Sequence, residues 1–252
     1  MISGWNIFFA MIFEICISSG IIIISGLFIY KYLKNRTKPR LYMAITMIWW
    51  ILSGVFTSSG RIVKFMDLIN TGTFYSYTAP TYVPDFFIVI ALTCFAIGNS
   101  FLMIFLQNFF KKSKVLLIIY LIINAFAIIS MSWLSFTITY LGTNAEQIFT
   151  DIWSFNALCT LFVTIYMAFI SFRSASRTNK MVIKRGSQFI GLSGVFMLFI
   201  NIFFVLDEII TPGFGGTFTI FYYLAWIFVV LSELFVYLGF ILPKWLRRRW
   251  EK

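Results

Sequence analysis

The chain contains no histidine, which removes imidazole as a metal ligand and as a general base. Charged residues are scarce at 12%, about half the ~25% of an ordinary soluble domain, while 60% of the residues are hydrophobic. A soluble fold of 252 residues has no way to hide that much apolar surface; a bilayer makes hiding it unnecessary. Cysteine is sparse too. Cys16, Cys94 and Cys159 all lie inside apolar segments, so a disulfide framework is not expected. The five prolines fall in loops or at the ends of apolar runs, never inside them. No Gly-rich phosphate cradle and no metal-ligand cluster is present, and no cofactor is expected. No polar linker divides the chain, so residues 1–252 read as one transmembrane domain.

What the chain does have is long apolar runs, at 5–30, 41–64, 85–109, 115–140, 148–171, 187–209 and 218–242, with a mean hydropathy of +0.91 overall. Each exceeds the ~20 residues that span a hydrocarbon core. Helices are the expected spanning form, because lipid leaves open backbone groups unsatisfied, and the short alternating segments of a β-barrel are missing. The expected fold is an all-α bundle of seven transmembrane helices.

The net charge of +11 would suggest nucleic acid in a soluble protein, but position argues otherwise. Of the 20 basic residues, 18 lie in the 31–40, 110–114 and 172–186 connections and the tail. The opposite ends carry Asp67, Asp85, Glu146, Asp151, Asp207 and Glu208. The positive-inside rule then places the basic side in the cytoplasm and the N-terminus outside, and the cell membrane is the expected location. The uncharged start Met1–Asn6 lacks the basic region of a secretory signal, so segment 1 reads as a retained anchor. The tail, with Trp245 and Trp250 beside its basic residues, reads as a topology stop on anionic headgroups or as a docking site for a cytoplasmic partner.

At 100° per residue every span shows one polar or small stripe. Examples are Glu14, Ser18 and Ser25 in the first, Asn156, Thr160 and Thr164 in the fifth, and Tyr222, Trp226 and Glu233 in the seventh. Asn99 falls off the stripe of the third, which suits it to a second contact. Such stripes face neighbouring helices, and packing alone explains most of them. Depth adds a second expectation. At 1.5 Å per residue, Glu14, Thr93, Asn156, Asn201 and Trp226 lie about 10–12 Å below the outer ends of their helices. They would line an outward-open cavity roofed by the tyrosine-rich stretch Phe65–Pro84, the usual form of a small-molecule pocket. Glu14, Arg61, Asn156, Asn201, Tyr222 and Trp226 are the candidate ligand-binding residues.

Two carboxyls fall inside the spans, where each costs roughly 3 kcal/mol to insert. Arg61 lies within reach of Glu14, so Glu14 is either half of a structural ion pair or a ligand or proton site. Glu233 has no cation at its depth and is expected to hydrogen-bond, as the acid, to Asn124 or Ser100.

Enzyme chemistry finds no support. Gly191-Leu192-Ser193-Gly194 resembles the Gly-x-Ser-Gly of rhomboid proteases, but those enzymes need a histidine base. The seventh span has no lysine for a retinal Schiff base, and no Gly-x-Gly-Asp pair suggests an aspartyl protease. The seven-helix plan resembles that of receptors, without the Asp-Arg-Tyr or Asn-Pro-x-x-Tyr motifs of the animal rhodopsin-like family. From Tyr237 to Arg248 a final helix ends at Pro243 and a basic cluster. With the topology, that exit resembles the seven-helix membrane sensor region of prokaryotic histidine kinases. The resemblance implies a sensor of a small ligand from the outer side, signalling through a separate cytoplasmic partner. A proton-coupled carrier using Glu14 and Glu233 and a non-catalytic membrane scaffold subunit are the alternatives, although no internal repeat of the carrier type is visible.

Overall fold

Apolar runs of this length fold as helices because each backbone N–H then finds a carbonyl within its own segment. A computed structural model describes residues 4–34, 36–70, 86–110, 113–137, 145–210 and 219–241, with Pro243, Leu246, Arg248 and Trp250 of the tail. Its seven long helices are α1 (Gly4–Lys34), α2 (Lys38–Asn70), α3 (Phe86–Phe110), α4 (Lys114–Thr137), α5 (Ala145–Ser176), α6 (Met181–Ile210) and α7 (Ile220–Ile241). All seven are long and apolar enough to cross a membrane, and no strand occurs among the described residues. The chain therefore has the build of a multi-pass membrane protein.

Several helices run beyond the apolar stretches. α2 continues past Lys64 to Asn70, α5 past Ser171 to Ser176, and α6 begins at Met181 rather than 187. Hydropathy marks where lipid begins, whereas helix ends are set by backbone propensity, and Met, Lys, Arg and Leu continue a helix readily. Phe65–Asn70 is thus helix, not part of a roofing loop; Tyr75, Tyr77, Pro80, Tyr82 and Pro84 lie outside the described residues. The start of α7 is capped. The Thr219 hydroxyl oxygen accepts the Phe221 N–H at 3.2 Å. Thr219 in turn donates both its backbone N–H and its hydroxyl to the Asp207 carboxylate near the end of α6.

The helices pack in sequence from α1 to α3, and again from α5 to α7. α3 also packs directly on α5, and α7 on α1. The order α1–α2–α3–α5–α6–α7 therefore closes into a ring, with α4 laid outside over the groove between α3 and α5. The α4 sequence fits that position. Its buried residues Tyr120, Asn124, Ala127, Met131 and Leu134 form a single seam at alternating spacings of four and three. Ile118, Ile119, Ile122, Ile123, Phe126 and Ile129 are exposed around the rest of it.

Inside the ring, Phe28, Met47, Trp50, Phe105, Met167, Ile190 and Val236 fill the middle. Glycines bring neighbours close. A Cβ on Gly194 would sit 2.8 Å from the backbone nitrogen of Ala168 in α5, and one on Gly239 would sit 2.7 Å from the Gly186 carbonyl oxygen in α6. Buried hydrogen bonds also join neighbouring helices, as lipid supplies no hydrophobic drive between them. Ser18 meets Ser58 at 2.9 Å between α1 and α2, and Ser193 meets Ser232 at 3.0 Å between α6 and α7.

These contacts fix alternating helix directions, so the chain's charges separate along the bundle. Lys31, Lys34, Lys38, Arg40, Lys114, Arg173, Arg177, Lys184 and Arg185 gather at one end, and Asp67, Asp151 and Asp207 at the other.

Candidate functional site

The region toward the acidic end is built from α1, α2 and α7. Glu14 is fully buried, one helical turn before Ser18 on the α1 face that meets α2. Antiparallel packing brings Arg61 of α2 to the same level, and its Nε lies 3.2 Å from Glu14 Oε1. The Tyr222 hydroxyl, in the first turn of α7, donates to the same carboxylate oxygen. One carboxylate thus links three helices.

Aromatic side chains wall this group. Phe13 lies edge-on to Tyr223, and Phe204 of α6 lies edge-on to Tyr222 and Trp226. Ala10, Tyr222 and Trp226 form a buried cluster, against which Ile17, Phe65 and Val229 also pack. Edge-to-face ring contacts supply contact area, and a charge-assisted hydrogen bond is roughly twice as strong as a neutral one.

Four of the six candidate ligand residues, Glu14, Arg61, Tyr222 and Trp226, therefore come together. The other two do not bond to them. Asn201 donates its amide to the Met197 carbonyl of its own helix at 2.9 Å. Asn156 is buried on α5, and its side-chain oxygen has no hydrogen-bond partner among the described residues. Thr93 likewise spends its hydroxyl on its own helix, at Val89.

The middle of the bundle differs from expectation in one respect. Asn124 donates to the Ala96 carbonyl and to the Ser100 hydroxyl, both at 2.8 Å, and so joins α4 to α3 rather than reaching Glu233. The reason is the ring order: α4 lies outside, and α7 packs on α6 and α1. Glu233 is 2% exposed, and its Oε2 has no hydrogen-bond partner among the described residues. α7 carries no lysine or arginine, and those of α1 and α6 stand at their basic ends. Glu233→Gln, an uncharged isostere, is therefore expected to keep the apparent Tm in detergent within ~2 °C of the parent. A drop of ten degrees or more would show that a charged, partnered carboxylate holds that position.

Asn99, off the stripe of its helix, does make a second contact, to α5. It is 1% exposed and donates to Thr160 of α5 at 3.1 Å. α3 touches α2, α4 and α5 and so needs more than one polar face.

The chain matches no family model, no curated protein and no solved structure. Its own geometry is what a functional reading rests on.

Proposed function

We propose that this protein is a receptor-like sensor that binds a small polar ligand in the acidic-end half of the bundle. One observation carries the reading: Glu14, Arg61 and Tyr222 join α1, α2 and α7 inside an aromatic wall. A site with an apolar lining and a few convergent polar groups is the ordinary form of a small-molecule pocket. A ligand with its own carboxylate competes for Arg61; one with an ammonium competes for Glu14. Either exchange breaks a bond that ties helices together, and so changes the balance between two helix packings. On this reading the acidic end faces outward, and the basic end, in the cytoplasm, reports the change to a separate partner.

A thermal-shift screen of the purified protein against a small-metabolite library tests this. The expected result is a compound that raises the Tm by several degrees, equivalent to about 2.7 kcal/mol at one hundred times its Kd. Trp226→Ala should abolish that shift, as should Asn156→Ala if the ligand reaches α5. A library without a hit, or a hit whose shift survives Trp226→Ala, removes the reading. The buried Glu233 carboxyl favours a second reading, a proton-coupled carrier. Substrate-dependent acidification of liposomes, lost in Glu233→Gln, would select it.

A further inference from the structure

We propose a second site at the opposite end of the bundle: a notch that holds the phosphate of an anionic lipid headgroup. Phe110 of α3 and Ile170, Arg173, Ser174 and Arg177 of the α5 end line a cavity of about 110 Å³. A space of that size holds several waters, or a tetrahedral anion in their place.

The lining has two characters. Phe110 and Ile170 are apolar. Arg173, in the last turn of α5, and Arg177, just past its end, bring two positive side chains to the lining, together with the polar Ser174. Arg173 is steadied over the ring of Phe169, 5.8 Å from its centroid. A helix C-terminus carries about half a negative charge, which opposes an anion. Here two full positive charges outweigh it, and two of the end carbonyls are already occupied. The Ser176 hydroxyl donates to the Arg173 carbonyl at 2.9 Å, and the Arg177 N–H donates to the Ser174 carbonyl at 3.2 Å.

The chain offers these arginines little neutralisation. Of its nine acidic residues, only Glu251 follows the basic end of a helix. Neither arginine pairs with a carboxylate among the described residues. That leaves them open to an external anion, and guanidinium is the side chain best matched to phosphate oxygens. The surroundings select lipid over free phosphate. Phe169 and Phe172, which flank Arg173, are exposed, as is Phe109 beside Phe110. Acyl chains run against such a surface while the headgroup enters the notch.

The test uses the full chain in a neutral detergent, titrated with phosphatidylglycerol, phosphatidylcholine or inorganic phosphate and read by native mass spectrometry. Phosphatidylglycerol is expected to bind at least tenfold tighter than phosphatidylcholine. Arg173→Gln/Arg177→Gln should lose that tenfold preference. Lys31→Gln/Lys34→Gln, which removes equal charge from the same end, should keep it. Both arginines are exposed, so the variant is expected to fold; single Arg177→Gln, with an intermediate loss, serves if it does not. Equal binding of the two lipids, or equal loss in the lysine variant, overturns the proposal and leaves a diffuse basic surface. Millimolar inorganic phosphate that displaces phosphatidylglycerol in full overturns the lipid assignment in favour of a soluble phosphate.

Discussion

Arg61→Met is expected to destabilise the protein by roughly 3–5 kcal/mol, the usual cost of removing one partner from a buried ion pair. Glu14 is fully buried and Arg61 only 11% exposed, with Nε 3.2 Å from Oε1. Truncating the arginine leaves the carboxylate without the cation bonded to it, in a place water does not reach. The opposite truncation is expected to cost less. Arg61 is within three turns of the end of α2, and a long cationic side chain there can turn its head toward the headgroups. Glu14→Leu/Arg61→Met, with neither charge, should recover most of the loss, because an apolar replacement of a buried pair is often close to neutral. Unfolding in mixed micelles, followed across the four proteins of this cycle, measures the coupling. Additive single effects would mean that the two side chains do not act as a pair.

Gly194→Ala is expected to lower stability by about 1–3 kcal/mol, although alanine is the better helix former by about 1 kcal/mol. The new methyl would lie 2.8 Å from the Ala168 nitrogen and 2.9 Å from the Thr164 carbonyl oxygen. Both are backbone atoms of α5, so no side chain can turn away to make room, and the two helices must separate. Gly20 provides the control, since a Cβ there meets nothing within 4 Å. Gly20→Ala should raise the apparent Tm by a few degrees, as the lost backbone freedom is recovered without a clash. Opposite signs for the same substitution in two helices are the expected outcome. A stabilised Gly194→Ala would mean that α5 and α6 do not approach this closely.

The spans were legible in the sequence because lipid imposes length and apolarity on every crossing segment. The gathering of charge at the two ends was legible for the same reason. Arg61 was readable as a partner of Glu14 through the reach of its side chain, since the 41–64 span put it nearer the outer end; the extension of α2 to Asn70 is what brings the two to one level. Tyr222 was readable as a neighbour but not as the third member, because a stripe gives the face of a helix and not the helix it meets. That same gap explains Glu233. Asn124 and Glu233 share a depth, yet α4 lies outside the ring, and nothing in the apolar pattern of α4 states which groove it occupies. Asn201 spends its amide on Met197, a local choice open to any amide one turn above a carbonyl.

The ring is not closed in the same way around its whole circumference. Glycines press α2 on α3, α5 on α6 and α6 on α7, where Gly98, Gly194 and Gly239 leave no slack between neighbours. The seam between α1 and α7 is closed by longer reaches: Phe13 to Tyr223, Phe28 to Tyr237, and Tyr222 to Glu14. A hoop assembled this way is held at its clasp by the reach of side chains rather than by backbones pressed together at a glycine. Glu14, which grips both α2 and α7, is the pin of that clasp.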